Sequence, residues 1–341
     1  MAITSRLRGL AGHAAFIAAA ISAAGCGELI YDHDTDCEPR HRVRFRYDYN
    51  LKKADAFAQE VNAVTLYVTD PETGEVVWSR TDSSDAVRQE GYTMDLDGLK
   101  PGRYRLLAWG GDGHAGSPCF SMGEGGREQD LTAMINRDQE NIVDSDLPRL
   151  YKDLDFEYSP REFSSEWGEY IHTVRLMKNT NDIHVVLQQL SGNPLDPADF
   201  TFDIESPNGF MDHNNRLVDD MTLTYLPWRV RSGLAAGFVP ENLDEARFSA
   251  VIADFTVGRL VAGVPMWLTI RRADNAAIVA RVPVTDYSLM VKGHYEDMPD
   301  QEYLDRQDDY SMVFFLDEGL RWIDTYIYIN SWHVVLQNKD L

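Results

Sequence analysis

The residue with the clearest chemical future in this chain is Cys26, at the end of Ile21-Ser22-Ala23-Ala24-Gly25-Cys26. Arg6 and Arg8 give the N-terminus a positive start. Leu10 to Ala24 is an Ala-rich apolar run broken only by Gly12, His13 and Ser22. That is the layout of a secretory signal, and it is too short to span a bilayer comfortably. Small residues ahead of a cysteine suit a peptidase that leaves the thiol at a new N-terminus. A competing reading is ordinary secretory cleavage followed by a free or bridged cysteine.

Two more thiols exist, Cys37 and Cys119. In an exported protein they could form a disulfide, and two free buried thiols fit equally well. Neither stands in Cys-x-x-Cys or Cys/His spacing, so a metal centre is not expected. Asp32-x-Asp34-x-Asp36 invites a calcium reading. It fails because Cys37 occupies the position that needs Gly and Val43 the one that needs Glu. Gly111-x-Gly113-x-x-Gly116 matches a dinucleotide fingerprint in spelling, but Ser117-Pro118 follows where a helix should begin, and no cofactor is expected. The histidines are scattered, and pairs such as Asp219-Asp220 and Asp308-Asp309 would point to opposite faces of a strand. No Gly-x-Ser-x-Gly or His-Glu-x-x-His signature is present, so an enzyme is not expected.

The three residues before Cys26 (Ala23, Ala24, Gly25) resemble the lipobox of bacterial lipoproteins, with Ala in place of the usual Leu at the first position. On that reading residues 1–25 are a signal peptide, and 341 less 25 leaves a mature chain of 316 residues. The full chain carries 32 basic and 55 acidic residues, a formal charge of −23. Such a surface repels nucleic acid and anionic membrane, so the lipid on Cys26 would be the membrane contact.

The elements that follow must give that anchor something to hold. Residues 26–40 read as an acidic tether. Arg42 to Asn50 then alternates without exception: Val43, Phe45, Tyr47 and Tyr49 on one face, charged or polar residues on the other. This period of two defines a half-buried strand. Ala54 to Val61 holds a helical turn, and Val64, Leu66 and Val68 form a second strand. Asp70-Pro71-Glu72-Thr73-Gly74 turns the chain into a return strand from Glu75. Tyr92 to Leu96 and Arg103 to Trp109 are further strands. Residues 110–170 read as long loops with a short helix near Leu131 to Ile135 and a closing strand or two. A second series comprises strands around Ile183, Phe200, Met221 to Tyr225, Phe248 to Phe255, Met266 to Arg271, Ala277 to Val284, Met312 to Leu316 and Thr325 to Leu336. Asn208-Gly209 is placed as a hairpin turn, and a helix is expected near Asp300 to Asp308. Short strands at regular spacing predict an all-β protein of two sandwiches, over 41–170 and 171–341.

The blocks VRFRYDYNLKKADAFAQEVNAVTLYVTD (43–70), GYTMDLDGLKPGRYRLLAWGG (91–111), DIHVVLQQL (182–190) and QEYLDRQDDYSMVFFL (301–316), with Cys26, Leu29-Ile30-Tyr31-Asp32, Cys37 and the terminal Ile329-Asn330-Ser331-Trp332, resemble the FimB/Mfa2 family. These are fimbrial anchor subunits, outer-membrane lipoproteins of Bacteroidales-type bacteria. The resemblance implies two tandem transthyretin-like Greek-key sandwiches, palmitate-type lipidation at Cys26 and a place at the base of a fimbrium. It also implies stalk pilin subunits as partners, joined by donor-strand exchange. The N-terminal strand carrying Val43, Phe45, Tyr47 and Tyr49 is the candidate exchange segment. A fimbrial tip or accessory subunit is a neighbouring reading. A surface lipoprotein that stacks glycan or peptide on Trp78, Trp109, Trp228 or Trp332 is a more distant one.

Overall fold

The computed structural model describes residues 39–114, 116–154, 160–236, 247–330 and 332–335. Cys26, Cys37, the tether acids and the signal segment lie outside them. The described chain is mostly β-strand. In order it runs β1 (Arg40–Arg46), α1 (Phe57–Glu60), β2 (Val64–Thr69), β3 (Val76–Asp82), β4 (Thr93–Asp95), β5 (Gly102–Gly110), β6 (Phe120–Met122), β7 (Ala133–Ile135), β8 (Ile142–Val143), β9 (Tyr151–Asp153), β10 (Arg161–Phe163) and β11 (Glu169–Lys178). It continues through β12 (Thr180–Gln189), β13 (Phe200–Ser206), β14 (Phe210–Met211), β15 (Leu223–Tyr225), β16 (Arg229–Ala236), β17 (Arg247–Gly258), β18 (Trp267–Arg272), β19 (Ile278–Pro283), α2 (Val284–Met290), α3 (Asp300–Arg306), β20 (Asp309–Leu316), β21 (Trp322–Ile329) and β22 (Trp332–Val335).

The first sheet has the order β3-β2-β5-β9-β11-β1-β4, with β10 beside β5. Its core gathers Val43, Phe45, Tyr47, Val64, Leu66, Val68, Leu106, Val174 and Leu176, with Phe57 of α1 laid over Phe45. The second half is a sandwich of β16-β17-β12-β20-β21-β22 against β19-β18-β13-β15-β8. Ile183, Val185, Leu187, Phe255 and Phe314 of one sheet share a core with Phe202, Ile204, Leu268, Ile270 and Val282 of the other.

Local chemistry explains the turns. The Asp70 carboxylate accepts from the N–H groups of Glu72 and Thr73 at 2.8 and 2.9 Å, and Gly74 takes φ +69°, where a side chain would be strained. In the Gly-rich loop, Gly111 has φ +91° and passes so close to Arg149 that a Cβ would lie 2.3 Å from its carbonyl oxygen. Close packing of two backbones accounts for that glycine.

Several expectations need correction. Leu131 to Ile135 is not helical; Ala133–Ile135 is β7, between β6 and β14. Leu131, Ala133 and Ile135 are buried while Thr132 and Met134 are half-buried, a period of two too short to stand out in sequence. Asn208-Gly209 does not close a hairpin between β13 and β15, although those strands do pair. Asn208 is pinned by its side chain to the Arg259 carbonyl and the Tyr225 hydroxyl, and the chain leaves for β14. The segment expected as one strand from Thr325 to Leu336 holds, in its described part, two antiparallel strands, β21 ending at Ile329 and β22 at Trp332–Val335, with Asn330 at φ +49° between them. Val284 opens a helix, α2, where a strand end was expected.

The change from first to second sheet falls at Asn179, between β11 and β12. β11 therefore belongs with β1, although residues 171–178 were assigned to the second half. Conversely Phe120, Ala133, Ile135, Val143, Leu147 and Leu150 pack into the second core. Composition could not show this exchange, because it depends on pairings such as Thr224 with Ile142.

Candidate assembly interface

β1 is the first strand of the described chain, and its neighbours decide what it can do. The alternation reads directly as burial: Val43 is 0%, Phe45 2% and Tyr47 2% exposed. Fully burying Val43 and Phe45 contributes about 1.5–3 kcal/mol each. Burial also pushes the Tyr47 phenol well above its ordinary range, with Asp308 and Glu60 adding to the shift. Tyr49 departs from the pattern. It lies past the strand end, half-buried, with the Arg306 guanidinium 3.9 Å from its ring centre.

On one side β1 pairs in parallel with β11 along its whole length, Arg40 with Glu169 to Arg46 with Arg175. On the other it meets β4 at three residues, Arg42 to Arg44. The Tyr47 amide donates to the Asp55 carboxylate at 3.0 Å and its carbonyl accepts from Ala56 at 3.0 Å, closing the same side by a loop. Arg42 bonds Asp95 at 2.7 Å, Arg46 reaches Asp55 at 3.2 Å, and Arg175 of β11 bonds Asp48 at 2.8 Å. Such exposed pairs add little, about 0–1 kcal/mol.

At the tether end of β1, His41 meets His172 of β11. The His41 Nε2–H donates to the Ser164 carbonyl at 3.0 Å, which leaves Nδ1 to accept from His172 Nε2 at 3.1 Å. Phe163 stacks on His172 at 4.1 Å and Tyr170 on His41 at 4.8 Å. Burial, then the neighbouring His41 and Arg161, push His172 down to about 4. The site favours the neutral ring of His172.

The opposite end of β1 reaches the second half. The Leu51 amide donates to the Arg306 carbonyl at 3.2 Å. Just past β11, Asn179 and Asn215, both fully buried, exchange reciprocal amide hydrogen bonds at 2.6 and 3.0 Å. Arg259 grips Asp305 through two bonds of 2.8 Å. The Asn179, Asn215, Arg259 and Asp305 side chains thus each have a partner that fixes their geometry.

The second half repeats the pattern of a first strand paired in parallel with a late one. β12 runs parallel to β20 from Asp182–Asp309 to Gln189–Leu316, but its other side is covered by β17 from Thr180 to Gln188. On its outer face His184 Nδ1 lies 2.8 Å from Asp254 and Nε2 3.7 Å from Asp309. Asp254 also holds Arg229 at 2.9 Å. Burial works against its ionisation, but these partners outweigh it and keep the carboxyl below its ordinary range.

The other sequence-derived candidates are dispersed. Cys119 is half-buried, its Sγ 3.7 Å from the Ser145 hydroxyl, and has no disulfide partner among the described residues. Its candidate partner Cys37 is outside the described residues. Trp109 is 1% exposed and belongs to the second core, so it offers no sugar platform. Trp78 packs on the first core, and Trp228 is half-buried with Arg229 4.8 Å from its ring. The side chain of Trp332 is outside the description. Trp167, 74% exposed beside the start of β11, was missed because nothing in its neighbourhood has a strand period. Among the described residues no group of three or more His, Cys, Asp or Glu could hold a metal ion, and no helix is long and apolar enough to cross a membrane.

With a parallel seam in each half and, among the described residues, no group of three or more His, Cys, Asp or Glu that could hold a metal, the described chain is a β-sandwich protein. The chain belongs to the family of fimbrillin-A associated anchor proteins Mfa1 and Mfa2, whose model matches residues 34–338. It is similar to a candidate adhesin from Bacteroides thetaiotaomicron, 34% identical, with TM-score 0.76, covering 88% of this chain and 99% of that one. A structure from the same species, described as candidate polysaccharide-binding proteins, is 26% identical at TM-score 0.75 over 89% and 100% of the two chains. The fimbrial anchor protein Mfa2 of Porphyromonas gingivalis shares the fold at 15% identity, TM-score 0.63, over 88% and 100%. No curated protein matches the chain.

Proposed function

We propose that this chain is a non-enzymatic fimbrial anchor, lipidated at Cys26, exposed on the outer membrane and joined to a stalk pilin by β-strand exchange. The observation that carries the reading is the place of β1. It begins at Arg40, 14 residues past Cys26 (40 less 26), and is held by β11 along its full length. Removing β1 would part the body from its tether, so in this subunit the strand stays. The partner strand pairs instead at a sheet edge, where main-chain groups supply affinity and alternating side chains supply specificity. β22 offers such an edge: within the described residues it pairs with β21 alone.

Cysteines placed singly along Arg42–Arg46 and along Trp322–Val335 test this in pilated cells. Cross-links to one pilin from the β22 side, with none from β1, are expected. Cross-links from β1 alone would show that β1 is itself the exchanged strand and would overturn the assignment of the edge.

A further inference from the structure

We propose that β1 and β11 form a mechanical clamp, a parallel seam loaded in shear when the second half is pulled away from the tether. The inference follows from direction and register. The tether enters at Arg40, and β1 runs from there toward the junction, where Leu51 bonds Arg306. β11 runs the same way, and its last residue, Lys178, leads through Asn179 directly into β12. A pull along the molecule therefore draws the first end of β1 one way and the last end of β11 the other. The two strands must slide past each other rather than peel apart.

The hydrogen-bond parity is explicit. The Arg40 amide donates to the Gly168 carbonyl at 2.9 Å, whereas the His41 carbonyl faces β4 and accepts from Leu96 at 2.9 Å. Arg40, Arg42, Arg44 and Arg46 thus present their main-chain groups to β11. Bonds in a parallel ladder are evenly spaced, so shear stretches all of them together, and peeling breaks them one at a time. The apolar residues add to the same resistance, because Val43, Phe45 and Tyr47 are keyed into the core and cannot move along the strand without leaving their sites. The second half repeats the design with β12 and β20 and covers β12 on its far side with the nine-residue β17 pairing. The first seam should yield first. Its service at the base of a fimbrium rests on the anchor reading above; the clamp itself is a property of the fold.

The test is force spectroscopy on the purified mature chain in two geometries. In one, handles sit at the N-terminal tether and the C-terminus. In the other, the first handle moves to Lys53, an exposed residue past β1, which takes β1 out of the load path. Because Phe120 to Leu150 pack into the second core, opening of the first half is recognised by release of the chain from Arg40 to Cys119, 80 residues (119 less 39) or roughly 260–290 Å at 3.3–3.6 Å per residue, and from Lys53 by 67 residues (119 less 52) or roughly 220–240 Å. Forced unfolding reports the barrier rather than equilibrium stability. That event is expected at about half the force or less when pulled from Lys53, and the same force in both geometries would overturn the clamp. Arg44→Pro, which removes one amide facing β11, should lower the tether-pulled force and leave the Lys53-pulled force unchanged. Should the variant fail to fold, the two geometries on the unmodified chain still decide. Loss of the anchor function in cells with the clamp intact in vitro would count against the anchor reading alone.

Discussion

The seams β1–β11 and β12–β20 share one geometry and differ in what surrounds them. β12 is a central strand paired over nine residues with β17 and eight with β20, while β1 has seven residues of pairing on one side and three on the other. The difference extends to their histidines. His41 and His172 face each other with no carboxylate bonded to either ring among the described residues, whereas His184 lies between Asp254 and Asp309. One seam sets ring against ring and is supported mainly on one side, the other sets a ring between carboxylates and is supported on both. A strand that connects a body to its tether need only resist sliding, and a strand at the centre of a sandwich must also hold two sheets together.

The largest expected effects come from the core side chains of the two seams. Phe45→Ala and Phe314→Ala each delete a buried ring and should cost about 3–5 kcal/mol. By hydrogen exchange, Phe45→Ala should release β1 and β4 and leave β12 protected. Phe314→Ala should lower protection across β12, β17 and β20 together. If both variants exposed the whole chain equally, the two seams would be one cooperative unit. Asp254→Ala comes next. It strips His184 and Arg229 of a fully buried partner and should cost about 1–3 kcal/mol, read from the denaturant midpoint.

The pH response separates the seams by sign. His172 titrates near 4 in the fold and near 6.5 unfolded, so the unfolded chain binds more protons in between. The stability it contributes is fully present above about 6.5 and is lost as the pH falls toward 4. Exchange of amides 40–46 should therefore accelerate between pH 7 and 5 beyond the intrinsic change, and His172→Asn should abolish the excess. Smallest of all, Arg44→Ala removes an exposed side chain with no ion pair among the described residues and should change stability by no more than about 0.5 kcal/mol.

Much of this fold was legible in the chain itself. The unbroken alternation from Arg42 to Tyr47 gave both the strand and its buried face, because a period of two has one structural meaning. Asp70 to Gly74 gave its turn through side-chain chemistry. What stayed hidden was set by distant partners. Ala133 to Ile135 becomes a strand because β6 and β14 flank it, and β11 joins the first sheet because β1 offers a parallel edge 129 positions away (169 less 40). His41 and His172 looked like isolated histidines for the same reason. Cys26 lies outside the described residues, and its proposed lipidation rests on the spelling of the segment before it.

The central claim, that a lipid on Cys26 and an intact β1 together hold a fimbrium to the cell, is tested most directly by one substitution. In a pilated strain carrying Cys26→Ala, the medium and the outer-membrane fraction are separated and both probed for stalk pilin and for this subunit. The account predicts that pili appear in the medium, still carrying the subunit at one end. Pili that remain with the cells, as in the parent strain, would contradict it.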